Sequence, residues 1–219
     1  CKTLEELSTS LTAPRAILIM VKAGKPVDDV IEELSAHVTE GDILIDGGNS
    51  HYPDTERRTA ELNERGIRFV GMGVSGGEEG ALNGPSMMPG GSEEGFKEVE
   101  DLMVKMSADD GIGGKCITYL GKGGAGHFVK MVHNGIEYGI MQLIAESYDV
   151  LKSIGDYSNK ELAEVFSAWS KGEDLKGFLM EITAKIFEKK EEGKDIIDLI
   201  GIDGLQKIAS TASLIRHGL

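Results

Sequence analysis

The sequence predicts an α/β fold with a mostly parallel sheet, followed by an all-α domain. Over the first 124 residues, short apolar runs rich in β-branched residues alternate with amphipathic helical segments. This alternation is typical of a parallel sheet covered by helices. Beyond that point the strand pattern fades and helical segments follow one another. We therefore divide the chain into an α/β domain over residues 1–124 and a helical domain over residues 125–219.

Four segments are predicted to be strands. Three are apolar runs bounded by turn residues, Ala16–Val21, Asp42–Asp46 and Arg68–Val74, as expected for strands buried on both faces. A fourth segment, Cys116–Leu120, carries the same pattern more weakly.

Helices are predicted between and after these strands. In the 26–38 segment apolar residues recur at helical spacing, and Pro26 suits the first turn. Another helix begins at Ser92, whose hydroxyl can cap it. The remaining helices are predicted over 54–65, 126–153, 159–170 and 175–190, the third of these opening with a capping box formed by Ser158 and Glu161.

The composition excludes several classes of protein. A net charge of −14 opposes binding to nucleic acid or to anionic lipid, and no apolar run reaches the roughly 18 residues that a membrane span needs. The two cysteines, Cys1 and Cys116, give neither a disulfide framework nor a metal-binding spacing. We expect a cytoplasmic protein with no membrane segment, no nucleic-acid partner and no metal site.

Three glycine-rich segments, over 45–50, 73–91 and 121–126, are candidates for a binding site. Two follow predicted strands and one lies at the domain boundary. In open α/β sheets ligands bind beyond the carboxyl ends of the strands, where glycine allows close approach to the backbone. Each segment alone could equally be a turn, but the three together favour a site. We interpret none of them as a GxGxxG fingerprint that opens a strand–helix unit, so the phosphate-cradling turn of a dinucleotide fold is not visible in the sequence.

The predicted helix GHFVKMVHNGIEY, residues 126–138, carries the residues best suited to chemistry. Lys130 and Glu137 are seven positions apart, which places them within roughly 20° around a helix axis and about 10.5 Å along it. An amine and a carboxyl group on one face can divide the roles of base and acid. The alternative is an ordinary solvated face with an unremarkable Lys–Glu pair.

The order of the segments resembles the 6-phosphogluconate dehydrogenase family. The similar segments are PRAILIMVKAGKPVDDVI, GDILIDGGNSHYPDTERR, FVGMGVSGGEEGALNGPSMMPGG, GAGHFVKMVHNGIEYGIMQLI and WSKGEDLKGFLMEIT, and together they extend over about residues 1–190. The resemblance implies a partial Rossmann-like dinucleotide-binding domain over 1–124. It also implies the start of a helical substrate and dimerisation domain over 125–219, in an enzyme that is a homodimer when complete.

The resemblance also implies an activity, the NADP-dependent oxidative decarboxylation of 6-phosphogluconate to ribulose 5-phosphate. By this analogy Lys130 is the general base and Glu137 the acid, with no metal. The substrate would be held by Asn49, Ser75, Gly76, Gly77, His133, Asn134 and Tyr138. The cofactor side would be lined by Val21, Lys22 and Ala23, together with Asn49. A Gln-Lys pair in DGLQK makes Lys207 a candidate contact of the substrate phosphate.

The resemblance further implies that the family's first strand, its glycine-rich dinucleotide turn and the arginine that reads the 2′-phosphate lie before Cys1. The match weakens after Lys190, and most of the family's helical domain, with its C-terminal tail, is expected to be lacking from these 219 residues. We therefore expect the 219 residues by themselves to show no measurable turnover.

Two other functions stay open. One is a dehydrogenase of short β-hydroxy acids such as 3-hydroxyisobutyrate, which would share the lysine but not the Glu137–Tyr138 pair. The other is a non-catalytic fragment that binds or dimerises.

Overall fold

The computed structural model describes residues 1–199. It divides into two compact units, the first formed by Cys1–Gly135 and the second beginning at Ile136.

A four-stranded sheet forms the centre of the first unit, with the strands in the order β1-β2-β3-β4. The strands are β1 Ala16–Ile19, β2 Ile43–Asp46, β3 Arg68–Ser75 and β4 Ser86–Gly91. The first three are parallel, and β4 runs antiparallel to β3. The prediction of a mostly parallel sheet is therefore confirmed.

Helices connect and cover these strands. They are α1 Leu4–Ser10, α2 Lys25–Leu34, α3 Tyr52–Asn63, α4 Gly77–Asn83, α5 Glu93–Met106 and the first turns of α6 Ala125–Ser153. The predicted cap of α5 is confirmed, because the Ser92 hydroxyl accepts a hydrogen bond from the Gly95 amide at 3.0 Å. Helix α1 was not predicted from the sequence.

Both faces of the sheet are buried at β2 and β3, which explains why these parallel strands are nearly continuous apolar runs, whereas β1 is buried on one face and exposed on the other. Leu44 and Phe69 lie in one apolar core with α2 and α3 residues such as Leu34 and Leu62. The opposite face packs against α5, and its core consists of Ile43, Ile45, Val70, Met72, Met87, Phe96, Val99 and Met103.

The structure corrects the sequence interpretation between β3 and α6. Residues 73–91 are not one glycine-rich loop, since they contain the end of β3, then α4 and β4.

The predicted strand Cys116–Leu120 was wrong. This segment runs beside β4, where the Met87 amide donates to the Cys116 carbonyl and the Leu120 amide donates to the Pro89 carbonyl. Only an isolated bridge forms there, because Pro89 has no N–H with which to continue the ladder.

The second unit is mainly helical, as predicted. It contains the rest of α6, with α7 Asn159–Lys171, α8 Phe178–Glu188 and α9 Ile196–Leu199. The capping box of Ser158 and Glu161 at the start of α7 is confirmed. Its core consists of Leu162, Ala163, Phe166, Ala184 and Phe187.

A small hairpin, β5 Lys190–Glu191 and β6 Lys194–Asp195, interrupts the helices of this unit. Its two turn residues, Glu192 and Gly193, have φ angles of 50° and 81°. Two positive φ angles are the signature of a tight type I′ hairpin turn. The predicted helix over 175–190 was too long at both ends, since α8 begins at Phe178 and ends at Glu188 before the hairpin.

Among the residues that the structure describes, no helix is long and apolar enough to cross a membrane. The predicted domain boundary near residue 124 stays a prediction. The compact units divide eleven residues later, between Gly135 and Ile136, within the continuous helix α6.

Candidate functional site

The loops that follow β1 and β2 lie against each other at the carboxyl edge of the sheet. A Cβ atom on Gly48 would stand 3.1 Å from the carbonyl oxygen of Val21, and one on Gly47 only 2.5 Å from the Sδ atom of Met20. Glycine is what allows this approach. The candidate cofactor residues Val21, Lys22, Ala23 and Asn49 therefore share one edge of the sheet, and all except the half-buried Ala23 are exposed.

The loop after β2 is held by the carboxylate of Asp46, which is fully buried. Its Oδ1 accepts a hydrogen bond from the Gly48 amide at 3.0 Å, and its Oδ2 accepts one from the Ser50 hydroxyl at 2.6 Å. This arrangement fixes the backbone on both sides of Asn49 and leaves that side chain exposed.

Arg58 on α3 lies beneath the same loops and is only 1% exposed. Its Nη1 is 3.6 Å from Asp46 Oδ2, and its Nη2 donates to the Gly24 carbonyl at 3.1 Å. Its Nε donates to Asp28 Oδ1 on α2 at 2.7 Å. The hydrogen bond from Arg58, helped by Arg57, outweighs the effect of burial and lowers the pKa of Asp28 to about 2. Arg58 therefore joins the loops after β1 and β2 to α3.

His127, in the first turn of α6, is 1% exposed and contacts the same region. Its Nδ1 lies 2.7 Å from the Thr55 hydroxyl, and its Nε2 lies 3.1 Å from the Gly48 carbonyl oxygen. Burial lowers the pKa of His127 below its usual value, although the nearby charge of Asp46 opposes this shift.

Glycines allow the start of α6 to pack directly on the sheet. A Cβ atom on Gly126 would lie 2.2 Å from the Met88 carbonyl oxygen and 2.3 Å from that of Gly71. One turn further along, a Cβ atom on Gly73 would lie 2.5 Å from the Cβ of Lys130. This packing leaves Lys130 only 8% exposed, beside the carboxyl end of β3.

At the end of β3, Ser75 is half-buried and Gly76 and Gly77 are exposed. Ser75 ends the strand, and Gly76 and Gly77 open α4 with φ angles of 144° and 55°. A Cβ atom on Gly77 would meet nothing within 4 Å, so the backbone there faces open space.

The other predicted site residues lie further along α6. His133 is exposed and Asn134 half-buried in the first unit, while Glu137 and Tyr138 are half-buried on the part of α6 that belongs to the second unit. Because α6 is one continuous helix, the helical spacing assumed for Lys130 and Glu137 is confirmed; their roles stay predictions. Lys207 lies outside the described residues.

The sequence interpretation missed the buried polar residues Asp46, Thr55, Arg58 and His127. One signal was available, since a carboxylate at the end of an otherwise apolar strand, as in ILID before GGNS, is costly to bury without partners. No group of three histidine, cysteine or acidic residues within residues 1–199 is arranged to hold a metal ion.

The mostly parallel sheet, with glycine-rich loops at its carboxyl edge and the start of a long helix packed beside them, is typical of the dinucleotide-binding class of α/β folds. Comparison with known proteins gives the family. The NAD binding domain of 6-phosphogluconate dehydrogenase matches residues 1–121, and the C-terminal domain of 6-phosphogluconate dehydrogenase matches residues 126–213. The chain belongs to the 6-phosphogluconate dehydrogenase family.

Individual relatives agree with this assignment. The decarboxylating 6-phosphogluconate dehydrogenase 2 of Arabidopsis thaliana is 56% identical over 209 residues, which are 93% of this chain and 43% of that protein. The corresponding Synechocystis enzyme is 57% identical over 202 residues, 90% of this chain and 42% of that protein. The chain therefore spans less than half the length of these relatives.

Solved structures give the same result. The chain superimposes on Plasmodium falciparum 6-phosphogluconate dehydrogenase with a TM-score of 0.82 and 47% identity, covering 88% of this chain and 41% of that one. That enzyme was solved in its apo form, with NADP+ and with 6-phosphogluconate. A 3-hydroxyisobutyrate dehydrogenase of Mycobacterium tuberculosis shares the fold, with a TM-score of 0.62 and 19% identity, over 75% of this chain and 53% of that one.

Proposed function

We propose that this chain carries catalytic residues for the oxidative decarboxylation of 6-phosphogluconate to ribulose 5-phosphate with reduction of NADP. The observation that carries the proposal is the position of Lys130. Its side chain is 8% exposed, and its backbone is held against Gly73 beside the accessible Ser75–Gly77 loop. A lysine held in this way presents its amine at a fixed position, as a general base requires.

In this proposal the neutral amine of Lys130 takes the proton from the C3 hydroxyl of 6-phosphogluconate. NADP, when bound, supplies the acceptor for the hydride that leaves C3. The resulting 3-keto acid loses its carboxylate as carbon dioxide, and the electron pair of the broken bond forms an enediol. Such proton transfers by a positioned side chain accelerate a reaction by about 10²- to 10⁴-fold.

Glu137 is proposed as the acid that protonates the enediol carbon, which becomes C1 of ribulose 5-phosphate. It lies two helical turns after Lys130 on the continuous α6, about 10.5 Å along the axis. That separation suits the two ends of a short sugar acid. One group removes a proton and the other supplies one, so the pair divides base and acid roles.

The remaining polar residues are proposed to hold the substrate. Ser75 and the amides of Gly76 and Gly77 supply donors at the end of β3, and α6 presents further polar groups in His133, Asn134 and Tyr138. Lys207 is the proposed contact of the phosphate.

The residues present fit the nicotinamide side of NADP. Val21 and Asn49 are exposed on adjoining loops whose glycines bring the two backbones together. The Asn49 amide can donate and accept hydrogen bonds, and Lys22 adds a positive charge at the same edge of an otherwise acidic chain.

We further propose that the protein works in the cytoplasm as a homodimer. Sedimentation would test the dimer, and cell fractionation the compartment, because two Arabidopsis relatives are chloroplastic.

The test uses a hybrid enzyme. Residues 1–190 of this chain replace the matching segment of the Arabidopsis relative, and NADPH formation is followed by its absorbance. We expect turnover with 6-phosphogluconate and NADP, and none with 3-hydroxyisobutyrate. A hybrid that folds but prefers the short acid would contradict the proposal. Calorimetry with 6-phosphogluconate on the 219-residue chain then measures how much of the binding this chain supplies by itself.

A further inference from the structure

His127 is a buried histidine that the proposed chemistry does not use. It lies in the first turn of α6, three residues before Lys130, and its side chain points away from solvent with only 1% exposure. Its ring contacts the loop that contains Asn49 and the helix α3, so it lies where three parts of the first unit meet.

The hydrogen bonds of the ring define its tautomer. A carbonyl oxygen only accepts, so the contact of 3.1 Å to Gly48 requires a proton on Nε2. In the neutral ring Nδ1 is then an acceptor, and the Thr55 hydroxyl, 2.7 Å away, donates to it. Both ring nitrogens are thus satisfied within the protein.

The space around this pair admits little movement. A Cβ atom on Gly71 would lie 2.3 Å from the Cγ2 of Thr55 and 3.1 Å from the Nδ1 of His127. The backbone of β3 therefore packs directly against the pair. Displacing the ring would move either the Gly48 carbonyl or the first turn of α6.

We propose that His127 is a positioning residue of the active site. As the Nε2–H tautomer, it ties the loop of Asn49 to the helix of Lys130 and thereby sets the distance between the cofactor side and the base. The proposal rests on the proposed function. It concerns geometry, because the His127 ring is buried and both of its nitrogens bond within the protein.

The charges around the ring are those of Asp46 and Arg58, which act in opposite directions on its protonation. Both side chains are buried, and they belong to the strand and the helix that flank the Asn49 loop. A neutral ring is compatible with this pair, since Asp46 already receives hydrogen bonds from Gly48 and Ser50.

The first test is a matched pair of variants in the hybrid enzyme. Thr55→Val removes the hydroxyl that donates to Nδ1 and keeps the side-chain shape, whereas Thr55→Ser keeps the hydroxyl. We expect Thr55→Val to lower kcat by at least about tenfold, because small displacements of reacting groups are costly, and Thr55→Ser to retain most of it. His127→Leu should lower kcat more than Thr55→Val, with a smaller change in KM for 6-phosphogluconate.

The second measurement is independent of turnover. Long-range ¹H–¹⁵N spectra of the 219-residue chain should show His127 as the neutral Nε2–H tautomer at pH 7. An Nδ1–H tautomer or a charged ring would overturn the proposal. So would Thr55→Val and His127→Leu hybrids that keep the kcat of the unmodified hybrid and lose only thermal stability. An inactive unmodified hybrid would instead count against the proposed function.

Discussion

Gly73 on β3 and Lys130 on α6 approach so closely that no side chain fits between the strand and the helix. A Cβ atom on Gly73 would lie 2.5 Å from the Cβ of Lys130 and 3.1 Å from the carbonyl oxygen of Gly126. The position of the lysine is therefore set by backbone packing of the sheet against the helix, and the absence of a side chain on β3 is part of the site.

The first prediction concerns Gly73→Ala, which should push α6 away from β3. Overpacking of this kind costs about 1–3 kcal/mol, so the free energy of unfolding in urea should fall by that amount. Gly139→Ala is the control, because a Cβ atom there meets nothing within 4 Å. Removing a mid-helix glycine should stabilise α6 by up to about 1 kcal/mol. Equal effects of the two substitutions would show that the close packing does not exist.

The second prediction compares two neighbouring arginines of α3. Arg58→Ala leaves the buried carboxylate of Asp46 without its cation and should lower the free energy of unfolding by about 3 kcal/mol. Arg57 makes its ion pairs at the surface, where its side chain is 45% exposed, so Arg57→Ala should cost less than about 1 kcal/mol. The two values come from parallel urea titrations, and a loss for Arg57→Ala as large as that for Arg58→Ala would refute the role of Arg58.

The third prediction concerns pH. The folded pKa of His127 lies below its usual value of 6.5 because the ring is buried, so the unfolded chain binds this proton more readily than the folded one. The histidine's contribution to stability is complete above pH 6.5 and is lost as the pH falls through the folded pKa. The pKa of Asp28, about 2, is too low for that carboxylate to titrate in the same interval.

His127→Gln provides the comparison, since glutamine can still donate to the Gly48 carbonyl but does not titrate. Its free energy of unfolding between pH 7 and pH 5 should fall less steeply than that of the unmodified chain. Identical slopes would mean that the pKa of the histidine is the same in the folded and unfolded chain, and a shallower fall for the unmodified chain would mean that the histidine is charged in the folded protein.

The fourth prediction concerns the cap of α5. Ser92→Ala removes the hydroxyl that accepts from the Gly95 amide and should cost about 1 kcal/mol. Ser92→Asp should keep most of the stability, because a carboxylate at the start of a helix accepts the same bond. Thermal unfolding of the two variants measures the difference, and an alanine as stable as serine would show that water replaces the cap.

The sequence was sufficient for the elements whose signals are local. Strands β1, β2 and β3 are predominantly apolar runs, and the helices α5 and α7 begin at side chains that cap their own backbone. Strand β4 could not be predicted in this way. Its residues, SMMPGG, include a proline and two glycines, and it is a strand only because β3 supplies its pairing partner.

The residues of the candidate site also fall into two groups, those that the sequence could predict and those that only the fold brings together. The positions of Lys130, Ser75 and the glycine loops followed from the resemblance and from strand ends. The contacts of His127 could not be predicted, because its partners Thr55 and Gly48 are 72 and 79 residues away in the chain. A lone histidine in a helical segment gives no sign of such partners until the fold brings them together.

The most direct test of the proposed chemistry is Lys130→Met in the hybrid enzyme, with kcat and calorimetric binding of 6-phosphogluconate measured on the same preparation. Methionine keeps an unbranched apolar stem like that of lysine and lacks the terminal amine. We predict that kcat falls by at least about 10²-fold while 6-phosphogluconate still binds. A variant that keeps most of its rate would contradict the assignment of Lys130 as the base.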